Sequence, residues 1–157
     1  MEILAYLARE PMVRVPFVTS IVLAMALPDS EPAQSRSIIG GHLLSCLAGY
    51  LSILVVPPGQ GASALAVGLA TLLMIVSRTL HPPAGIDAFL VASDGLAITW
   101  IFNPVLIGAL LLSGFSSAWR AIEQQLFVPA DRGAAPQLWS LERIRALTRP
   151  PPWRARR

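Results

Sequence analysis

Charged residues are scarce in the middle of this 157-residue chain. Between Val15 and Ala118 the sequence contains only Asp29, Glu31, Arg36, Arg78, Asp87 and Asp94. Overall, 54% of the residues are hydrophobic and 13% are charged, about half the charged share of a soluble domain. Because so few charges cannot cover a water-facing surface, the middle of the chain is predicted to lie in a lipid bilayer. We expect an all-α integral membrane protein with about four transmembrane helices.

The end of the chain has the opposite character, since eight of the twelve basic residues lie from Trp119 onward and all are arginines. We predict a transmembrane domain at 1–119 and an arginine-rich tail at 120–157, with a short amphipathic helix on the membrane surface around Leu138, Leu141, Ile144 and Leu147. Positive residues beside short spans are retained in the cytoplasm, so the tail is predicted to be cytoplasmic in a multi-pass protein of a bacterial inner membrane. Its charge suits an anionic lipid surface rather than nucleic acid.

Four apolar segments are candidate spans, at 13–27, 38–56, 62–76 and 96–118. The first is short for a span and carries an A-x-A pattern at 24–26, so a cleaved signal peptide is its alternative interpretation. The second has small residues at Gly41, Ser45 and Gly49, and the third has alanines at 62, 66 and 70. Small residues at four-residue intervals let two membrane helices approach closely, so both segments are predicted to pack tightly.

A proline pair interrupts the pattern after the third segment, where His81 is followed by Pro82 and Pro83. Prolines are tolerated in the first turn of a helix, so a new helix is predicted to begin at Pro82. It would run to Ser93, about 18 Å, or half of the hydrocarbon thickness. This length predicts a re-entrant half-helix; the alternative is one full span over 82–101. With an even number of spans and the tail inside, the His81 turn is expected in the outer half of the membrane.

Basic and titratable residues stand where the spans meet their connections. Arg36 and His42 lie near the start of the second segment, and Arg78 and His81 follow the third. Such residues either anchor a helix at the interface or line a polar cavity, and a histidine can pass protons, donate to an anion or bond a neighbouring helix. The stretches 35–38 and 77–80 share the pattern S-R-[ST]-[IL]. This pattern indicates either chance or an internal repeat of the sort found in transporters.

Two stretches resemble the HPP family of integral membrane proteins. They are Arg78-Thr79-Leu80-His81-Pro82-Pro83-Ala84-Gly85, and Ala33-Gln34-Ser35-Arg36 with Gly40-Gly41-His42-Leu43-Leu44-Ser45. The resemblance covers about 16–117 and implies a multi-helix bundle whose members are thought to be transporters, some associated with nitrite movement in plastids and cyanobacteria. Ser35 replaces the family's usual proline, and Asp87 a small or neutral residue. The family's further hydrophobic helix before the first segment is missing, so either the start is truncated or the topology differs.

The half-helix and the resemblance together predict an anion site. Its donors would be the free N–H groups of Ala84 and Gly85 at a positive helix end, beside Arg78 and His81. The second family stretch adds Arg36 and His42 to the predicted binding residues. Asp87, one turn inside the helix, either competes with the anion or carries a coupled proton. The residues with a structural role are predicted to be Pro82, Pro83, Gly40 and Gly41.

These observations favour a small-anion transporter or channel for an ion such as nitrite or nitrate. It is expected to be a homo-oligomer, because four short spans enclose little space alone. The alternative is a membrane scaffolding or interaction module without transport activity. An enzyme is not expected, since the sequence has no HExxH or GxSxG pattern and its lone Cys46 lies in an apolar run. No cofactor or cysteine metal cluster is expected.

Overall fold

A computed structural model describes residues 17–126, and within them the chain is helical and has no strand. The α-helices are α1 (Val18–Ala26), α2 (Ser35–Ile53), α3 (Gln60–Val76), α4 (Gly85–Asp94) and α5 (Ile107–Leu126). Single turns of 3-10 helix occur at Glu31–Ala33, Pro82–Ala84 and Ile98–Ile101. The all-α prediction is therefore confirmed for 17–126. The predicted surface helix and most of the arginine-rich tail lie outside the described residues, as does 13–16 of the first segment.

The centre of the bundle is the contact between α2, α3 and α4, and it is built from small side chains. One buried cluster consists of Ala48, Ala62, Ala66, Ala70, Met74, Ala84, Ala88 and Ala92. A Cβ atom added at Gly41 would lie 2.7 Å from the Cβ of His81, and one added at Gly49 would lie 2.7 Å from the Cβ of Val91. The predicted close packing of the small-residue faces is confirmed, because these backbones approach to a distance at which even a methyl group would clash.

One end of the bundle, here named the arginine end, is formed by residues 27–36, the turn at 77–79 and residues 116–120. The arginine end is tied together by side chains that donate to backbone carbonyls. Arg36 Nη2 donates to the carbonyl of Arg78. Ser116 Oγ donates to the carbonyl of Ala33 at 2.8 Å, and Arg120 Nε donates to that of Pro28 at 3.0 Å.

The opposite end, named the proline end, comprises residues 54–60 and 95–101. The N–H of Gly59 donates to the carbonyl of Ala92 at 2.9 Å, and the Tyr50 hydroxyl donates to that of Ala97 at 2.7 Å. The backbone of Gly59 has φ 144°. Only glycine adopts this conformation readily, which explains how a tight turn with two prolines can lead directly into α3.

The chain passes from the arginine end to the proline end between Arg78 and Gly95. Helix α4 is short, as predicted, and Gly95 ends it in the left-handed conformation at φ 62°, so the alternative continuous helix over 82–101 does not form. The prediction of a re-entrant helix is wrong, however, because the chain does not turn back. Non-helical residues 79–81 and a 3-10 turn carry it part of the way, and α4 completes the passage.

The position of the His81 turn also differs from the expectation. Helix α5 reaches the arginine end at 116–120, where Trp119 Nε1 donates to the carbonyl of Met25 at 3.3 Å. The turn containing His81 therefore lies at the same end of the bundle as the residues that precede the tail. If the tail is cytoplasmic, the turn belongs to the inner half rather than to the outer half. The expectation rested on an even number of helices crossing the bundle. Residues 79–95 also cross it from one end to the other, so the number of crossings is no longer the one assumed.

The fourth predicted span is interrupted. The 3-10 turn at Ile98–Ile101 is followed by a kink at Asn103, whose backbone is extended at φ −136° and ψ 114°, and α5 begins only at Ile107. Within the described residues one stretch, Ile98–Gln125, is long and apolar enough to cross a membrane, and the apolar helix α3 is shorter. Trp100 is not an interfacial aromatic residue, since it is 4% exposed and packs in a cluster with Cys46.

The outer surface of the bundle is rich in large apolar side chains. Examples are Val22 on α1, Leu54 after α2, Leu72 on α3 and Leu111 on α5, which are 62%, 80%, 57% and 63% exposed. Many of the buried residues, by contrast, are alanines and serines, and both described histidines are buried as well. This arrangement reverses the usual preference of a protein in water and suits a bundle surrounded by lipid.

Candidate functional site

Three titratable side chains meet in the interior of the bundle. His42 on α2, His81 before the 3-10 turn and Asp87 on α4 are each fully buried. His42 Nδ1 lies 2.6 Å from Asp87 Oδ2, and the rings of the two histidines have centroids 5.2 Å apart. The close approach at Gly41 makes this possible, because it brings the chain around His81 and the first turn of α4 against α2. We name His42 and Asp87 the buried pair.

The buried pair is only half satisfied. A carboxylate oxygen accepts, so His42 Nδ1 carries the shared hydrogen and donates it to Asp87. The other polar atoms, His42 Nε2 and Asp87 Oδ1, have no hydrogen-bond partner among the described residues. The hydroxyl oxygens of Ser37 and Ser45, also on α2, are likewise buried and have no hydrogen-bond partner among the described residues. Since each unpaired buried polar group costs about 1 to 3 kcal/mol, the open atoms of the buried pair itself indicate a use other than stability.

His81 differs from His42 because both of its ring nitrogens are bonded within the protein. Nδ1 lies 2.7 Å from the carbonyl oxygen of Pro32, and Nε2 lies 2.8 Å from Ser20 Oγ. A carbonyl can only accept, so Nδ1 carries a hydrogen and the neutral ring accepts at Nε2 from the Ser20 hydroxyl. His81 thus joins α1, the loop before α2 and the turn before α4, and it has no nitrogen left to offer an anion.

The predicted backbone donors of the turn are also in use. The N–H of Ala84 donates to the carbonyl of His81 at 2.9 Å, and the N–H of Gly85 is bonded to the carbonyls of Pro82 and Pro83. The expectation of free N–H groups at Ala84 and Gly85 is therefore wrong. One premise of that expectation was right, since Pro82 and Pro83 do occupy the first positions of a helical turn. That turn has 3-10 geometry, which gives the following amides partners that an isolated α-helix would not supply.

Arg36 and Arg78 lie at the surface of the arginine end rather than beside the buried pair. The Arg36 side chain is 60% exposed and lies 3.6 Å from Glu31. Arg78 occupies the left-handed conformation at φ 55° and is also exposed. The hydrogen bonds from Arg78 N to the Ile75 carbonyl and from Thr79 N to the Met74 carbonyl form a Schellman motif at the end of α3.

The residue at this position of a Schellman motif is usually glycine, because a side chain costs about 1 to 2 kcal/mol there. An arginine in its place is a strained position whose guanidinium extends from the arginine end. The two S-R stretches occupy different places, one beginning α2 and the other ending α3, so they are not equivalent parts of a structural repeat. They contact each other instead, since the Arg36 guanidinium donates to the carbonyl of Arg78.

The remaining polar groups do not form a metal centre. Within 17–126, no group of three or more His, Cys, Asp or Glu side chains is arranged to hold a metal ion. Cys46 is buried one turn after His42 on α2 and is a free thiol. In the described interior, the ionisable groups that hydrogen-bond each other directly are therefore those of the buried pair, His42 and Asp87.

Comparison with known proteins identifies the family. The profile of the HPP transmembrane region matches residues 1–127. The chain belongs to the HPP family. Two proteins of Dictyostelium discoideum, each described as a transmembrane protein, are 37% identical over 105 residues and 34% identical over 104 residues. Each match covers 61% of this chain but only 36% and 33% of the relatives, so the chain spans about a third of their length. No solved structure matches it.

Membership of the HPP family makes this a membrane protein and gives the buried pair its significance. In a membrane bundle, ionisable residues within apolar segments are rare and usually face one another or a functional site. His42 and Asp87 were each identified in the sequence, but their pairing was not. The available signal was that each stands alone in an apolar run and needs a partner.

Proposed function

We propose that this HPP protein transports a small inorganic anion of the nitrite or nitrate class across a membrane. The observation that supports this function best is His42, a fully buried imidazole whose Nε2 has no partner among the described residues and whose Nδ1 is held by Asp87. With Nδ1 held by Asp87, Nε2 is the ring nitrogen left to meet a ligand, and in the imidazolium form it is a donor. An anion is the ligand that such a donor suits.

The surroundings of His42 supply a further donor. The hydroxyl of Ser45 lies about one helical turn after His42 on α2 and is buried without a partner among the described residues. A hydroxyl group together with an imidazolium can bind an oxyanion without a metal ion. In this proposal His42 and Ser45 replace the predicted donors at Ala84 and Gly85, and His81 becomes a structural residue.

The arginine end suits the first encounter with an anion. Arg36 and Arg78 are both exposed there, and the guanidinium of Arg78 makes no hydrogen bond or ion pair with other described residues. Exposed positive charge at the mouth of a low-dielectric bundle raises the local concentration of anions. The arginines thus act in attraction, and His42 acts in binding. The predicted homo-oligomer remains part of the proposal, because so small a bundle encloses little space by itself.

A second candidate is a membrane scaffolding or interaction module. It is favoured by His81, whose two nitrogens are consumed in joining segments of the same chain, as a purely structural turn requires. Under this hypothesis the motif that defines the family would hold the fold, and the protein would carry no ion. The two hypotheses differ in their expectation for ion flux and for His42.

The test is nitrate flux in proteoliposomes with two matched variants of His42. His42→Asn keeps a donor toward Asp87 near the Nδ1 position and removes Nε2, whereas His42→Gln places an amide donor near the Nε2 position. Losing a charge-assisted hydrogen bond costs about 1.5 to 3 kcal/mol, so His42→Asn should weaken nitrate affinity about 10 to 150-fold. His42→Gln should retain more of it.

Gly68→Ala, at an exposed position of α3 where nothing lies within 4 Å of the added Cβ, controls for reconstitution. Nitrate is the better probe because its acid is fully ionised and does not cross lipid unaided. A wild-type protein that is monodisperse and correctly inserted but gives no more flux than protein-free liposomes would exclude transport and favour the scaffold.

A further inference from the structure

We propose that the buried pair couples transport to protons, so that each anion is carried together with one proton bound by Asp87. The proposal rests on the proposed anion transport and adds its energy source. It follows from the juxtaposition of His42 Nδ1 and Asp87 Oδ2 at 2.6 Å, with both side chains fully buried and with one polar atom of each lacking a partner.

The charge balance of the interior allows an anion only together with a proton. With His42 protonated and Asp87 ionised, the pair has no net charge. An anion added at His42 Nε2 would leave one uncompensated negative charge in a low-dielectric interior, which is strongly unfavourable. If one proton binds to Asp87 at the same time, the imidazolium remains and the anion neutralises it. The loaded and empty sites are then both neutral, and their difference is one proton and one anion.

The geometry supplies a place for that proton. Asp87 Oδ2 is the atom that accepts from His42 Nδ1, whereas Asp87 Oδ1 has no partner in the described part of the chain. Protonation at Oδ1 therefore adds a hydrogen without displacing the contact that orients His42. On release, the proton leaves Oδ1, the anion leaves Nε2, and the original ion pair is restored.

Within the described residues, the elements packed around the buried pair provide no other charge that could substitute for this proton. On α2 the nearest titratable group is the Cys46 thiol, and from the turn before α4 it is His81, whose nitrogens are already bonded. From α1 the ring of Phe17 packs on His42 at a centroid distance of 4.7 Å, and from α3 Met74 reaches Gly41. On α4 the neighbour of Asp87 is Ala88, also buried.

Helix α5 approaches the buried pair through Phe17, because Gly108 on α5 packs against the Phe17 ring. This contact contains no charged group. The guanidinium groups of Arg36 and Arg78 are exposed at the arginine end, so neither is available to compensate an anion inside. Asp87 is therefore more than a competitor of the anion. Because it holds His42 in place and is the group able to take up a proton, it links anion binding to proton binding at a ratio of one to one.

The experiment measures nitrate accumulation in proteoliposomes at zero membrane potential, set with potassium and valinomycin, under an inward proton gradient. A symport of one proton with one anion is electroneutral and should concentrate nitrate about tenfold for each pH unit. A trapped pH dye should report one proton entering with each nitrate. Both measurements use the wild-type protein, so they stand even if a variant fails to fold.

Asp87→Asn gives the second arm. Asparagine Oδ1 can accept from His42 Nδ1, so the contact is kept while the proton site is lost. Nitrate movement should then ignore the pH gradient and follow the membrane potential. Gly68→Ala, which changes an exposed position with no neighbour within 4 Å of the added Cβ, should couple as the wild type does. Wild-type nitrate flux that a pH gradient cannot drive, or pH-driven accumulation that persists in Asp87→Asn, would overturn the coupling and leave anion transport standing. Absence of all wild-type flux would overturn both proposals.

Discussion

Arg36 donates from its guanidinium to the backbone carbonyl of Arg78 and so joins the start of α2 to the turn that ends α3. The same contact region brings Gly40 against Thr79. The arginine end is consequently one continuous surface formed by three separate parts of the chain. Because this surface carries several arginines, its side of the membrane can be predicted.

The arginine end should face the cytoplasm. Arg36, Arg78 and Arg120 lie at this end, and positive residues beside short spans are retained inside. Gln34→Cys at the arginine end and Gln60→Cys at the proline end change exposed residues, while the native Cys46 is buried and should not react. A membrane-impermeant maleimide should label Gln60→Cys in spheroplasts and Gln34→Cys only in inside-out vesicles. The reverse pattern would contradict the orientation.

Two substitutions at Arg78 should separate strain from charge. Arg78→Gly removes the strain of the left-handed backbone at φ 55° and should stabilise the protein by about 1 kcal/mol, which raises its melting temperature in detergent. Arg78→Gln keeps the strain and should leave the melting temperature nearly unchanged. Both remove the charge, so both should lower nitrate uptake severalfold at low ionic strength, and the difference from wild type should shrink as salt screens it. Uptake lowered by only one variant would argue against attraction.

Glycines on the inner and outer faces of the bundle should respond oppositely to alanine. At Gly41 a Cβ would clash with His81, and Gly41→Ala should cost about 1 to 3 kcal/mol, as overpacking usually does. At Gly68 on α3 nothing lies within 4 Å of such a Cβ, so Gly68→Ala should be neutral or stabilise the helix by up to about 1 kcal/mol. Melting temperatures of the two variants in the same detergent make the comparison. Equal destabilisation would show that the close approach at Gly41 is not a tight contact.

His81 should prove to be a stability residue. His81→Ala leaves the carbonyl of Pro32 and the hydroxyl of Ser20 without their partner, at an expected cost of about 1 to 3 kcal/mol for each buried group. Ser20→Ala removes one of the two bonds and should cost less. In the fraction of His81→Ala that stays folded, nitrate affinity should match the wild type, in contrast to His42→Asn. A loss of affinity without a loss of stability would return His81 to the binding site.

The sequence was sufficient for helices α2 and α3 and for their small contact faces. Apolar runs, the proline-rich turn before α3 and the alanine and glycine spacing are local patterns, and the corresponding helices and packing faces are observed at α2 and α3. The path of 79–95 could not be obtained in this way. Whether a short helix returns or continues depends on where its far end docks, here Gly95 against Pro58, and no local pattern records that contact.

The candidate site was predicted as a set of residues but not as an arrangement. His42, His81 and Asp87 do meet, yet the roles of the two histidines are exchanged relative to the expectation. A histidine's role depends on what each nitrogen touches, and both partners of His81 are more than 45 residues away in sequence, at sequence separations of 49 for Pro32 and 61 for Ser20. The amides of Ala84 and Gly85 were assigned from α-helix geometry, and a 3-10 turn pairs them differently.

The alanine lining between α3 and α4 has a consequence for how the protein could move. Faces of Leu or Phe interlock, and sliding one past the other requires rotamers to change. The faces here carry Ala62, Ala66 and Ala70 on one helix and Ala88 and Ala92 on the other, whose methyl groups have no rotamers to exchange. The alanine methyl groups therefore do not lock α4 against α3, and α4 is held in place by contacts elsewhere, namely Val91 against Gly49 and the Ala92 carbonyl on the N–H of Gly59.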